Sequence, residues 1–136
     1  MWLPWLCYSL TAVNAWVWSS VFHTRDTPTT ELLDYFSAFS TVLASLIVCA
    51  IRLVLFIPLH CQPTSTVYKV GPSSWAAGSV TAAGLAFFAQ HVYSMAAVRF
   101  DYGYNMKVNV AVGVLNGLGW LCWCYWNRGA GPHIRW

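Results

Sequence analysis

Residues 35–51 of this chain read YFSAFSTVLASLIVCAI, a run that contains no charged side chain. Asp34 precedes this run directly and Arg52 follows it. An apolar run bounded by charges is typical of a helix that crosses a lipid bilayer, for which about 20 residues are needed. The long side chain of Arg52 can reach back to the membrane surface, so we expect the apolar core of the segment to end at Ile51.

The composition of the whole chain agrees with this interpretation. Only 8% of its residues are charged and 58% are hydrophobic, whereas roughly 25% of the residues in a soluble domain are charged. Because so few charges cannot cover the surface of a soluble fold, the sequence predicts an integral membrane protein built from helices. The net charge of +3 is scattered, without a block of Lys or Arg, so we expect no nucleic-acid partner.

Four uncharged or nearly uncharged runs are long enough to cross a bilayer. We therefore predict an all-α, polytopic membrane protein with about four transmembrane helices, in a single partial transmembrane domain that covers residues 1–136. The predicted spans are residues 3–22, 35–59, 74–98 and 106–126. Pro58 and Pro63 are expected to end helical structure after the second span, because proline lacks the N–H that a helix uses.

The most polar stretch lies where the first predicted span meets water, and residues 19–34 read SSVFHTRDTPTTELLD. Ser19 and His23 are four residues apart and share one face of a helix. Thr27 and Pro28 are suited to the N-cap and first turn of the next helix, which places Asp34 on the same side of the membrane as His23. A polar cluster at the end of a membrane span is a functional-site hypothesis by default.

His23 and Asp34 are candidates for a metal centre. Zinc lowers the pKa of a bound water to about 7, and a nearby carboxylate can take its proton. Catalytic zinc, however, usually has three protein ligands. His60 and His133 are expected on the opposite side of the membrane, and His91 is interpreted as an interhelical hydrogen-bonding residue. The chain alone therefore predicts an incomplete zinc site, and the alternative is that His23 simply marks the membrane–water boundary.

Two further motifs have both a structural and a functional interpretation. Residues 100–105, FDYGYN, predict a tight turn formed by Gly103 and Asn105, or alternatively a lid or lipid-headgroup contact over the site. Gly113 and Gly117 offer a face on which another helix can pack closely. The distribution of Lys and Arg among the loops favours the second loop and the tail in the cytosol, so the polar stretch faces the lumen or the outside.

Several motifs occur in order along most of the chain. They are NAWVWSSVFHTRDT at residues 14–27 with DYF at 34–36, VRFDYGYN at 98–105, NV at 109–110, Trp120 with Trp123, WN at 126–127 and PHIR at 132–135. Together they resemble the post-GPI attachment to proteins factor 3 family, over a stretch from about Ala12 to Arg135.

This resemblance implies a fold, a location and an activity. The family looks like seven-helix Golgi membrane proteins that remodel the fatty acids of GPI anchors by removing an unsaturated acyl chain from the sn-2 position. It belongs with the alkaline ceramidases and adiponectin receptors in the CREST superfamily, a group expected to hydrolyse its substrates with zinc. The pattern of that group is Ser-x-x-x-His on one helix, Asp at the start of the next, and His-x-x-x-His on the last.

Ser19, His23 and Asp34 match the first two parts of this pattern. The resemblance implies that His23 is a zinc ligand, that Asp34 is a catalytic base or water-orienting residue, and that Ser19 is a catalytic residue stabilising the metal site or the oxyanion. The implied substrates are the GPI-anchor lipids of GPI-anchored proteins, in contact with membrane lipids. The cluster would then face the Golgi lumen.

Parts of the family pattern are absent from this sequence. Full-length members have a Cys-rich luminal region and one more helix before the matching segment, and further helices after it that end with His-x-x-x-His. We therefore expect a truncated or alternative product. A phospholipase A2-like ester hydrolase is one hypothesis, and a catalytically incomplete isoform or fragment acting as a non-catalytic membrane scaffold is the other.

Overall fold

The computed structural model describes residues 3–60, 74–98 and 100–128. These residues form four long α-helices and contain no β-strand, which confirms the all-α prediction for this part of the chain. The helices are α1 (Leu3–Thr24), α2 (Pro28–His60), α3 (Ser74–Tyr93) and α4 (Tyr102–Asn127), with a π-helical turn (Ser94–Val98) that extends α3.

Each helix coincides with one of the predicted spans. Within the described residues, two segments are long and apolar enough to cross a membrane, Pro28–Val54 in α2 and Tyr102–Trp126 in α4. The prediction of membrane-spanning helices is therefore supported for α2 and α4. For α1 and α3 it stays a prediction, as does the seven-helix bundle.

Helix α2 lies in the middle and contacts α1, α3 and α4. It runs antiparallel to α1, as two contacts show. The hydroxyl of Thr41 donates to the backbone oxygen of Thr11 at 3.0 Å. Farther along α2, the guanidinium carbon of Arg52 lies 4.9 Å from the ring centre of Trp5, near the start of α1. The ends of α1 and α2 that carry Ser19 and Asp34 are therefore together at one end of the bundle.

Helix α4 runs parallel to α2 and packs closely against it. The hydroxyl of Ser45 donates to the side-chain oxygen of Asn116 at 3.2 Å, and a Cβ added at Gly119 would lie 2.8 Å from the sulfur of Cys49. The absence of a side chain at Gly119 is what allows this close approach. A Cβ at Gly113 or Gly117, by contrast, would meet nothing within 4 Å in the described part of the chain, so the face predicted there has no helix on it.

Helix α3 packs antiparallel on the remaining side of α2. The ring of Phe88 stacks on Phe39 with 6.0 Å between centroids, and Gly84 leaves room for the side chain of Ile47. Phe39 is fully buried, and with Leu43 of α2 and Val112 of α4 it forms the hydrophobic core.

Helix α2 ends at His60, one residue past the predicted end of the second span, with Pro58 in its last turn. The start of α4, by contrast, was predicted wrongly. Gly103 and Asn105 do not form a turn but lie inside α4. The carboxylate of Asp101 caps that helix by accepting the backbone N–H of Tyr104 at 3.0 Å, so α4 begins earlier than predicted. The second proline, Pro63, lies outside the described residues.

Candidate active site

The linker between α1 and α2 is a tightly hydrogen-bonded corner. The hydroxyl of Thr27 accepts the backbone N–H of Thr30 at 3.2 Å, and the N–H of Thr27 donates to the hydroxyl of Thr30 at 3.0 Å. This is a capping box in which Thr30 occupies the position usually held by Glu or Gln. The hydroxyl of Thr30 also donates to the backbone oxygen of Arg25 at 2.8 Å. The N-cap and first turn predicted at Thr27 and Pro28 are thus confirmed.

This corner holds the three predicted site residues at one end of the helix pair. Ser19 is half-buried on α1, one turn before His23, which is exposed in the last turn. Asp34 is half-buried in the second turn of α2, and its backbone oxygen accepts the hydroxyl of Ser37 at 2.9 Å. A hydroxyl, an imidazole and a carboxylate therefore reach the same end of the bundle from two helices joined by a short linker.

The described residues do not by themselves form a metal centre. They contain no group of three or more His, Cys, Asp or Glu side chains placed to hold a metal ion. His23 and Asp34 offer one nitrogen and one carboxylate donor, whereas catalytic zinc usually has three protein ligands and an open position for water. Of the other histidines, His91 is buried with its Nε2 on Asn105, and His133 lies outside the described residues.

An aromatic cluster beside Asp34 ties this end of α2 to the start of α4. The hydroxyl of Tyr35 donates to that of Tyr102 at 3.2 Å, and its ring stacks on Phe100 with 5.9 Å between centroids. Tyr35, which follows the candidate base Asp34, is therefore held by Phe100 and by Tyr102 at the start of α4. Sequence reasoning missed Tyr35, although two signals were available: its position after Asp34 and the polar motif at residues 100–105.

The second histidine near this end of the bundle has a structural role. His91 is 2% exposed, and its Nε2 lies 3.0 Å from the side-chain oxygen of Asn105 on α4. The imidazole also packs on Phe39 with 4.4 Å between centroids. Asn109 donates to the same Asn105 oxygen at 3.0 Å. The prediction that His91 is an interhelical hydrogen-bonding residue is confirmed, and its partner is the asparagine that was expected to form a turn.

A shallow cleft of about 240 Å³ lies beside the last turns of α1, and Ser20, Val21, Thr24 and Arg25 line it. The hydroxyls of Ser20 and Thr24 donate to the backbone of their own helix, at 2.8 and 2.7 Å, so they are not free for chemistry. Neither Ser19, His23 nor Asp34 lines this cleft.

Comparison with known proteins identifies relatives along the whole chain. A sequence profile of the Per1-like family matches residues 1–136. The chain is 38% identical over 130 residues to the human protein named GPI-specific phospholipase A2-like PGAP3. This alignment covers 96% of this chain and 36% of that protein. It is 40% identical over 126 residues to the zebrafish (Danio rerio) protein of the same name, covering 93% and 35% of the two chains.

A third relative is the Drosophila melanogaster protein named post-GPI attachment to proteins factor 3, which is 38% identical over 128 residues, covering 94% of this chain and 35% of that protein. No solved structure matches the chain. The chain spans about a third of the length of these curated relatives. The family resemblance that the ordered motifs carried is confirmed by the match over the full chain, and this protein belongs to the Per1-like family.

Proposed function

We propose that this chain contributes the Ser19, His23 and Asp34 corner of a GPI-specific phospholipase A2-like hydrolase. The supporting observation is that these three side chains are at one end of a capped helix pair, in a chain that matches the GPI-specific relatives along 96% of its length. The reaction is hydrolysis of the sn-2 acyl ester of a GPI anchor, with the lipid tails of GPI-anchored proteins as substrate.

The proposed roles follow from the chemistry of each group. Asp34 accepts a proton from the water that attacks the acyl carbonyl carbon, and Ser19 donates a hydrogen bond to the oxyanion that forms. When this tetrahedral species collapses, the bond from the carbonyl carbon to the lipid oxygen breaks, and that oxygen takes the proton that Asp34 accepted from the water, which releases a free fatty acid and a lyso-GPI. General-base catalysis of this kind contributes about 10²–10⁴ in rate.

We also propose that His23 is a zinc ligand, with the remaining ligands supplied from outside the described residues. A zinc ion supplies Lewis acidity and a more acidic bound water. The location that accompanies this activity is the Golgi membrane, with the Ser19–Asp34 end facing the lumen. The Lys and Arg distribution in the sequence favours the same orientation.

A rescue experiment tests the assignment. The chain and a full-length counterpart are each expressed in cells that lack sn-2 remodelling, and the acyl chains of purified GPI-anchored proteins are measured by mass spectrometry. We expect Asp34→Asn and His23→Ala to abolish the exchange of unsaturated for saturated sn-2 chains. We expect Ser19→Ala to lower it by about 10²–10³, the loss typical of an oxyanion donor. Zinc content of the purified protein, measured in parallel, should fall with His23→Ala.

Two neighbours serve as matched controls. Ser20→Ala removes a hydroxyl that donates to the backbone oxygen of Trp16 at 2.8 Å, and Asp26→Asn removes an exposed carboxylate from the same corner. Both should leave remodelling unchanged. Full rescue by Asp34→Asn or His23→Ala would refute the site. Failure of this chain to rescue, while the full-length counterpart succeeds, would favour the alternative of a catalytically incomplete, non-catalytic product.

A further inference from the structure

Three aromatic side chains beside Asp34 hold one another in a fixed arrangement, and we call Tyr35, Phe100 and Tyr102 the aromatic platform. The rings of Tyr35 and Phe100 stack with 5.9 Å between centroids and 21° between planes. The ring of Tyr102 meets that of Tyr35 nearly at a right angle, with 5.5 Å between centroids, and the two hydroxyls are 3.2 Å apart. Because these contacts already order the three side chains, a ligand that binds them does not have to order them again.

The platform is open on its outer side. Tyr102 is 53% exposed and Phe100 is 36% exposed, although both belong to the aromatic contacts described above. Within the described part of the chain, a Cβ added at Gly103 would meet only a carboxylate oxygen of Asp101, at 3.4 Å. A ring-shaped ligand can therefore come close to the first turn of α4 and lie against the platform.

Polar groups surround these rings. Because the hydroxyl of Tyr35 donates to that of Tyr102, the proton of the Tyr102 hydroxyl is left for an outside acceptor. The exposed carboxylate of Asp101 accepts the N–H of Tyr104 with one oxygen, which leaves acceptor sites on both oxygens. Glu31 lies one turn before Tyr35 on the same face of α2, and its carboxylate interacts with the Tyr35 hydroxyl. The platform thus combines aromatic faces with one donor and two carboxylates.

This combination favours a sugar ring over a lipid tail as the ligand. The C–H groups of a sugar ring can pack on the negative face of an aromatic ring, while its hydroxyls bond carboxylates and phenols at the edge. An acyl chain would use the aromatic faces but would leave the two carboxylates and the Tyr102 hydroxyl without partners, which costs free energy. An amino sugar adds an ammonium group, for which a carboxylate is the matching acceptor.

We propose that the aromatic platform, with Glu31 and Asp101 at its edge, binds the amino sugar of the GPI headgroup and so selects GPI lipids over other phospholipids. This inference rests on the proposed function, because it takes Asp34 as the base at the acyl ester. In a GPI lipid the sugar is joined through inositol phosphate to the glycerol that carries the acyl chains. A sugar site beside Asp34, rather than on it, leaves the ester free to reach the base. Tyr102 and Glu31 are therefore specificity residues, without a part in the bond-breaking step.

A binding comparison with two matched lipids tests the proposal. The purified full chain in phosphatidylcholine nanodiscs is titrated with glucosaminyl-phosphatidylinositol and with phosphatidylinositol of identical acyl chains, and bound lipid is measured by native mass spectrometry. We expect the unmodified chain to bind the amino-sugar lipid at least tenfold more tightly. Tyr102→Ala should lower this preference by about tenfold, the loss of one ring contact and one hydrogen bond.

Three further variants separate the contributions. Tyr102→Phe keeps the ring and its packing, and should lower the preference about threefold through loss of the hydroxyl alone. Glu31→Gln keeps the shape of the side chain and should lower it about tenfold by removing the charge that pairs with the ammonium group. Tyr93→Ala is the matched control, because Tyr93 is an exposed tyrosine in the last turn of α3, at the same end of the bundle, outside the platform. It should leave the preference unchanged.

Three results would overturn the proposal. Equal binding of the two lipids by the unmodified chain would show that the sugar is not recognised. An unchanged preference in both Tyr102→Ala and Glu31→Gln would place recognition elsewhere. Equal losses in Tyr93→Ala and Tyr102→Ala would show that the tyrosines serve as an interfacial aromatic belt. Because binding is measured without turnover, these results are distinct from failure of the hydrolase assignment, which the rescue by Asp34→Asn or His23→Ala would show.

Discussion

The buried hydrogen bond between His91 and Asn105 can be tested quantitatively by removing one of its partners. His91 is 2% exposed and Asn105 is 6% exposed, and 3.0 Å separates Nε2 from the asparagine oxygen. The other ring nitrogen, Nδ1, is buried without a hydrogen-bond partner in the described residues. Asn105→Ala therefore leaves both nitrogens of a buried imidazole unpaired, while the ring keeps its packing on Phe39.

The size of the effect follows from two opposing estimates. A buried polar group left without its partner costs about 1–3 kcal/mol. Interhelical hydrogen bonds in membranes average about 0.6 kcal/mol and reach about 1.7, since the unfolded state in the membrane also finds partners. Because the imidazole has no second bond to fall back on, we expect Asn105→Ala to lower the free energy of unfolding by about 1–2 kcal/mol.

Equilibrium unfolding in mixed micelles, with an increasing fraction of dodecyl sulfate, measures this loss through the fluorescence of the nine tryptophans. His91→Phe keeps the ring packing and removes the bond, so the double variant of His91→Phe and Asn105→Ala should be less destabilised than the sum of the two single changes. Asn109→Ala is the matched control, because Asn109 donates to Asn105 within α4, and it should cost less than about 0.5 kcal/mol. Additive effects of the two single changes would refute the reasoning.

Two other substitutions test the packing and capping described above in the same unfolding assay. Thr27→Ala removes the cap of α2 and should lower the free energy of unfolding by about 1 kcal/mol. Thr29→Ala in the same turn should lower it by less than about 0.5 kcal/mol. Equal losses for the two variants would contradict the capping assignment. Gly119→Ala places a Cβ 2.8 Å from the sulfur of Cys49 in α2 and should cost about 1–3 kcal/mol, whereas the Cβ of Gly117→Ala meets nothing within 4 Å. Similar losses for both variants would contradict the close α2–α4 packing.

The positions of the helices were predictable from the sequence, because they depend on local properties. The scarcity of charge set the lengths of the apolar runs, and the Thr27–Pro28 pair marked the start of α2. The beginning of α4 was predicted too late, since Gly103 and Asn105 are common turn formers. Residues 102–105 are helical because the carboxylate of Asp101 accepts the backbone N–H of Tyr104 and so caps the first turn of α4.

The candidate site was predictable in its members but not in its surroundings. Ser19 and His23 share a helix face by spacing alone, and the short linker brings Asp34 to the same end. No local pattern indicates that Tyr35 bonds Tyr102, because the two residues are 67 positions apart and meet only when α4 packs parallel to α2.

The sequence by itself determined that this protein is helical, where its apolar segments lie and which family it belongs to, because hydrophobicity, caps and motif order are properties of neighbouring residues. Only the tertiary structure decided which helix faces meet. Gly119, rather than Gly113 or Gly117, provides the close contact with α2. Arg52 lies against Trp5 and Trp123 because α1 and α4 both pack beside α2 at that end. Such pairings depend on how three helices fill space together, which no single segment encodes.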